Sequence, residues 1–329
     1  MAEAVAGSRG PRFQWAWLER LPAPLLVALI PALASLVVFV NLPARPLIFH
    51  VIEKLGHPGV FALIAVAGVL LLVRRDPATL HWRDYAIAFV FAVALGGGTE
   101  LAQMATHRHP ALADVGLDAR GAFCALCFLA ALDRLVVAQP RGRRVRAASV
   151  VLSVALALLI AFPLGYAAAA YANRALNYPV LFVPASPLDL YFVGAGARTR
   201  QPAADAAGRY VLRVPLAERP FSGVSLVEPS PDWRGFTQLL IDVTNPGSAG
   251  LELTVRVDDR DHDNRYEERY NGAFDVPPLG RRVISIPLES IEFAPIGRRM
   301  DMEHIQKIVL FRAASGPPGA FLVNSLSLN

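Results

Sequence analysis

Five stretches of about twenty apolar residues crowd the first 171 positions, and they leave this chain few choices of fold. They run over 24–42, 55–73, 85–104, 117–137 and 147–171. In hydrocarbon the backbone must satisfy its own hydrogen bonds, so a helical transmembrane bundle of five spans is the expected form. Hydrophobic residues make up 54 % of the 329, which is too apolar for an ordinary soluble protein. Beyond about residue 171 the apolar runs stop, and charges, prolines, glycines and alternating patterns take over. The expected organisation is a cytoplasmic N-terminal segment (1–23), the bundle (24–171), a proline-containing linker (172–187) and a second domain (188–329).

Charge sets the orientation. The formal net charge is +5, and Lys54 and Lys307 are the only lysines. The arginines lie between apolar runs without interleaved aromatics, which argues for membrane topology rather than nucleic-acid binding. Arginine-rich loops at the N-terminus, 74–84 and 134–146 alternate with nearly balanced ones. The positive-inside rule then predicts the orientation of a multi-pass protein. Its N-terminus is cytoplasmic and its C-terminal domain periplasmic. Trp15 and Trp17 precede the first run, as interfacial aromatics do. That run is longer than the apolar part of a signal peptide and lacks a small-x-small cleavage site, so it reads as a span. Cys124 and Cys127 sit in an apolar run and read as packing residues.

Two polar clusters interrupt the apolar pattern on the predicted outer side. Glu53, Lys54 and His57 open the second run, where i,i+3 and i,i+4 spacing gives them one helix face. Glu100 and Gln103 end the third run, and Asp114, Asp118 and Gly121 share a face at the start of the fourth. Gly96, Gly97 and Gly98 allow close helix approach. Ionisable groups at the edge of hydrocarbon are costly and mark function by default. Lys54, Arg108 and His57 suit a phosphate or carboxylate, with Glu100 and Asp114 orienting them or holding a divalent cation. A metal-activated hydrolytic site and a salt-bridge network bracing the helices are the competing readings. His107 and His109 flank Arg108 and read as loop residues.

The pattern E-K-x-x-H, E-x-x-Q, Arg, D-x-x-x-D-x-x-G-A resembles the VanZ-like membrane proteins over roughly 25–140. The matching positions are Lys54, His57, Glu100, Gln103, Arg108, Asp114, Gly121 and Ala122. Glu53 stands where that family usually has Asp, and Asp118 where it has Asn. The resemblance implies a helical membrane fold, a cell-envelope setting in the bacterial inner (cytoplasmic) membrane and an expected role in glycopeptide resistance. It implies no shared reaction.

The second half alternates with period two at 210–214, 224–227, 239–243, 251–257, 283–288, 305–311 and 321–328, punctuated by Asn245-Pro246-Gly247 and Pro278-Leu279-Gly280. Short strands with turn signals at regular spacing predict an all-β jelly-roll sandwich. The layout resembles galactose-binding-like, carbohydrate-binding-module sandwiches. Its richest polar segment is 258–271. Asp259, Asp261 and Asp263 alternate as in a calcium loop, without the glycine and closing glutamate of an EF-hand. His262, Tyr266, Arg269 and Asn271 supply the aromatic face and fork-shaped polar groups that sugars require. Arg298 and Asp301 form a smaller polar pair.

The combined expectation is a cell-envelope membrane protein rather than an enzyme. Its bundle cluster binds a lipid head group or cell-wall precursor, and its sandwich binds a glycan. No cofactor is expected beyond a divalent cation, and no nucleic-acid partner. An enzyme modifying a lipid-linked or envelope glycan, and an assembly protein whose sandwich binds another envelope protein, are the alternatives.

Overall fold

The computed structural model describes residues 11–40, 42–43, 45–104, 111–194, 199–202 and 209–329. The chain forms two compact units, Met1–Gly165 and Tyr166–Asn329.

The first unit is helical, with α1 (Ala23–Phe39), α2 (Ile48–Leu72), α3 (Trp82–Gln103), α4 (Leu112–Leu132) and the start of α5 (Gly142–Asn177). Four of these helices are long and apolar enough to cross a membrane. At 17 residues, α1 is shorter. The expected bundle of five apolar helices is therefore present. Its centre is α2, whose Phe61, Ile64, Ala65 and Val69 are fully buried. Small residues bring the helices together, since no hydrophobic drive separates side chain from lipid. A Cβ on Gly121 of α4 would run into the backbone of Pro58 in α2. A Cβ on Gly68 would meet that of Ala88 in α3 at 3.2 Å. Outward faces stay apolar and exposed, among them Val27, Val90, Phe91 and, on α5, Val151, Leu158 and Phe162.

One buried polar clamp closes this unit. Arg12 donates to Asp133 Oδ2 through Nε at 3.0 Å and Nη2 at 2.8 Å. The Tyr85 hydroxyl reaches the same oxygen at 2.9 Å. The Leu135 amide takes Asp133 Oδ1 at 2.9 Å. Backbone bonds run alongside, from Gln14 to Leu132 at 3.0 Å and from Arg134 to Arg12 at 2.9 Å. Phe13 and Asp133 are both 0 % exposed. The N-terminal segment, read from sequence as a cytoplasmic charge carrier, is thus stitched to the end of α4.

The second unit is a sandwich of two antiparallel sheets. Its strands are β1 (Val180–Phe182), β2 (Thr199–Pro202), β3 (Tyr210–Leu216), β4 (Ser222–Val227), β5 (Gln238–Asn245), β6 (Leu251–Asp259), β7 (Tyr270–Val276), β8 (Gly280–Pro287), β9 (Ile305–Arg312) and β10 (Gly319–Leu328). One sheet has the order β2-β3-β10-β5-β8, with β1 also pairing β10; the other runs β4-β9-β6-β7. From β3 to β10 the chain crosses between the sheets at every step except β6 to β7, as in a jelly roll. Period-two patterning places Leu253, Val255 and Val257 of β6, Ile241 and Val243 of β5 and Phe321 of β10 in the core, and Trp233 is also 0 % exposed. Asn245 shapes the turn after β5, accepting from the Gly247 amide at 2.9 Å and donating to the Ala249 carbonyl at 2.8 Å.

The last turns of α5 belong to this unit. Tyr166 donates to the Pro187 carbonyl at 2.7 Å, and Tyr171 and Arg174 both bond to Glu228. The Arg174 guanidinium lies over the rings of Tyr171 at 4.7 Å and Phe192 at 4.8 Å. The stretch 172–187, expected as a linker, holds the end of α5 and the strand β1.

Candidate functional site

In the bundle, α2, α3 and α4 each deliver polar side chains to one place. His57 Nδ1 lies 3.2 Å from Asp118 Oδ1, with 5 % and 0 % residue exposure. Room for Asp118 comes from Gly96 in α3, where a Cβ would stand 2.7 Å from Asp118 Oδ2. Glu100 Oε2 accepts the Ala111 amide at 2.8 Å, so α3 also caps the approach to α4. Lys54 Nζ is 3.7 Å from Asp114 Oδ1, and its side chain is 62 % exposed. Gln103 donates to the Val37 carbonyl of α1 at 3.0 Å, which makes it a brace. Arg108, like His107 and His109, lies outside the described residues.

The cluster is incomplete as a hydrogen-bond network. Glu100 Oε1, Asp114 Oδ1 and Asp118 Oδ2 are buried with no hydrogen-bond partner among the described residues. The Lys54–Asp114 separation is too long for a hydrogen bond. Buried polar atoms are paired in the great majority of cases, and orphans mark strain or a missing ligand. The Arg12–Asp133–Tyr85 clamp makes the contrast within the same unit, because each oxygen of Asp133 has a donor. A ring nitrogen of His57 and one carboxylate oxygen from each of Glu100 and Asp114 lie within 4.8 Å of one another.

The cluster also borders a cavity. A space of about 270 Å³ opens between α1 and α2, walled by Leu36, Val37, Val40, Ile52, Val60, Gly56, Glu53 and His57. All of that wall is apolar or glycine apart from the half-buried Glu53 and buried His57. His57 therefore belongs both to the polar cluster and to an apolar groove.

In the sandwich, the polar segment forms the hairpin between β6 and β7, with Asn264 at a φ of +73° near its tip, a backbone state that Asn tolerates. Only part of the expected set converges. Arg256 of β6 forks onto Asp258 at 2.6 and 2.7 Å and meets His262 Nε2 at 2.9 Å. Asn271 of β7 is the register partner of Arg256. Arg269 lies over the exposed Tyr266 ring at 5.2 Å. Burial, and then the neighbouring Arg256 charge, hold Arg269 below the ordinary arginine range. His262 Nδ1 and Arg269 Nε are buried without a partner among the described residues.

The calcium-loop expectation meets a different arrangement. A register shift between Asp258 and Asp259 breaks the alternation, and Asp259 is 1 % exposed. Its oxygens accept from Arg298 at 2.5 and 2.9 Å and from the Asp301 amide at 2.7 Å. Burial opposes its ionisation most, but these donors together hold its carboxyl below the usual range. Arg298 also bonds Glu268 Oε2 at 2.6 Å, so its partners are Asp259 and Glu268 rather than Asp301. Asp263 accepts from Arg265 at 2.6 Å, and exposed Asp261 has Arg260 at 3.7 Å. The residues sequence reasoning missed are Arg256 and Asp258. They occupy the β6 positions that alternate with the core residues Val255 and Val257, and Asp258 is nevertheless only 3 % exposed.

No protein-family model and no curated protein matches the chain. Solved structures do. One is a family 11 carbohydrate-binding module from Clostridium thermocellum in complex with a mixed-linked tetrasaccharide. It is 19 % identical over 42 % of this chain and 85 % of that one, with a TM-score of 0.32. An exo-beta-agarase is 14 % identical over 46 % of this chain, with a TM-score of 0.37, and the match spans 24 % of the agarase. The CBM22-1–GH10 modules of a Clostridium thermocellum xylanase, complexed with xylohexaose, are 12 % identical over 40 % of this chain and 24 % of that one, with a TM-score of 0.28.

Proposed function

We propose that this is a cell-envelope membrane protein of the VanZ-like kind whose bundle binds an amphiphile: a lipid head group or lipid-linked cell-wall precursor at the polar cluster, its chain in the adjoining groove. The observation that carries this is the double membership of His57. One ligand with a charged end and an apolar tail meets both surroundings at once. Lys54 supplies an exposed cation at the rim, and the orphaned oxygens of Glu100 and Asp118 supply acceptors for hydroxyl or amine groups of a head group.

In the same reading the sandwich engages an envelope glycan through His262, Tyr266, Arg269, Asn271 and Arg256. An exposed aromatic beside unpaired donors is what a hydroxyl-rich ring needs. The protein sits in the inner membrane with the sandwich on the outer side, and the expected role in glycopeptide resistance follows from holding such a precursor.

Gly56 gives a clean test, because a Cβ there meets nothing within 4 Å while the residue lines the groove. Native mass spectrometry of the full chain with phosphatidylglycerol and with a polyprenyl phosphate should show retained lipid. Gly56→Leu should reduce retention at least tenfold without lowering the melting temperature. Equal retention by both proteins would sink the groove reading.

A further inference from the structure

We infer that His57, Glu100 and Asp114 form a binding site for one divalent transition-metal ion, with Asp118 as the residue that orients the imidazole.

Three helices contribute one donor each, and the three donor atoms lie within 4.8 Å of one another. That separation suits atoms sharing one ion at bond lengths of about 2.0–2.2 Å, which place neighbouring ligands roughly 3–4 Å apart after a small contraction. Two of the ligand residues, His57 and Glu100, are 5 % and 4 % exposed. Glu100 Oε2 is already used by the Ala111 amide, which leaves Oε1 buried and without a donor. Asp114 Oδ1 is in the same state. An ionised carboxylate so placed is expensive unless a cation meets it. Lys54 is the one lysine or arginine that the described residues place within 4.0 Å of these carboxylates, and its ammonium stands mostly in solvent.

Asp118 lies 3.2 Å from His57 Nδ1, where it can fix the ring. Metal-bound imidazoles carry a hydrogen bond to a carboxylate from the ring nitrogen that does not ligate, fixing tautomer and orientation. Gly96 leaves the space in which that carboxylate stands. One imidazole with two carboxylates suits Mn²⁺, Fe²⁺ or Zn²⁺ better than Ca²⁺, which takes six to eight oxygens. Three protein ligands leave coordination positions open for water or an anionic oxygen.

The site stands on these residues whether or not the groove holds a lipid. Its test therefore uses the metal alone. Full-length protein in detergent, stripped with chelator and with any affinity tag removed, is equilibrated with Mn²⁺ or Zn²⁺, dialysed, and assayed for metal content, with electron paramagnetic resonance for Mn²⁺. We expect about one ion per chain. Glu100→Gln and Asp114→Asn should each weaken binding at least tenfold while keeping the melting temperature of the stripped protein. His304→Ala in the sandwich should leave stoichiometry unchanged. Absence of a bound ion, or one retained by the Glu100→Gln/Asp114→Asn double variant, overturns the inference. Lipid retention measured in chelator then reports on the groove separately.

Discussion

Asp118 and Gly96 face one another across α4 and α3 so closely that a single added methyl carbon would lie 2.7 Å from the Asp118 carboxylate. The glycine is thus the reason the carboxylate can stand beside His57. Gly96→Ala should push Asp118 aside and cost about 1–3 kcal/mol by overpacking. Asp118→Asn, in contrast, should preserve the packing. Melting temperatures of the two variants check this order, and a neutral Gly96→Ala would contradict it.

Glu100 and Asp133 should respond in opposite ways to loss of charge. Asp133 is fully paired, so Asp133→Asn leaves Arg12 buried without its counter-charge and should cost about 3–5 kcal/mol. Glu100 carries an orphan oxygen, so Glu100→Gln in the metal-free protein should be neutral or stabilising, as functional groups held at a stability cost are. A bundle in which both changes destabilise alike is braced by the cluster and has no site there.

Asp259 predicts an acid limb in the stability of the sandwich. Its folded pKa lies below the ordinary value, so its contribution is present above the carboxylate range and is lost as pH falls through the depressed pKa. Arg298→Met should remove that limb and lower stability by roughly 3 kcal/mol, because it strands a buried carboxylate. Trp233, in a background with Trp15, Trp17 and Trp82 changed to Phe, reports sandwich unfolding across pH 2 to about 6. An unchanged pH profile in Arg298→Met would refute the assignment.

Glycan binding should depend on Tyr266 and Arg256 and not on Asp263. Tyr266→Ala and Arg256→Ala should each weaken binding about tenfold, or about 1.4 kcal/mol. Asp263→Ala, whose partner is Arg265 on the same loop, should change it little. Calorimetry with acidic and neutral envelope saccharides measures both.

Length and composition were enough to find the helices, because span length is a property of the bilayer and each run had to match it. Period-two alternation found seven strands for the same kind of reason. What stayed hidden depended on distance or on local irregularity. Arg12 and Asp133 are 121 positions apart, and nothing in spacing joins them. β1 and β2 are three and four residues long, too short to show a period. Asp259 looked like its neighbours until the register shift after Asp258 turned it away from the surface. The polar cluster was legible because i,i+3 and i,i+4 spacing survives in a helix. Its division into satisfied Gln103 and unsatisfied Glu100 was not, since pairing is decided between helices.

The stitch between Phe13 and Asp133 closes residues 13–133 into a loop before α5 begins. In covalent order, everything from Tyr166 onward is cargo. Swapping that cargo for another domain leaves both ends of the four-helix loop tied. Trimming the first sixteen residues unties it, so tolerance to truncation should differ sharply at the two termini.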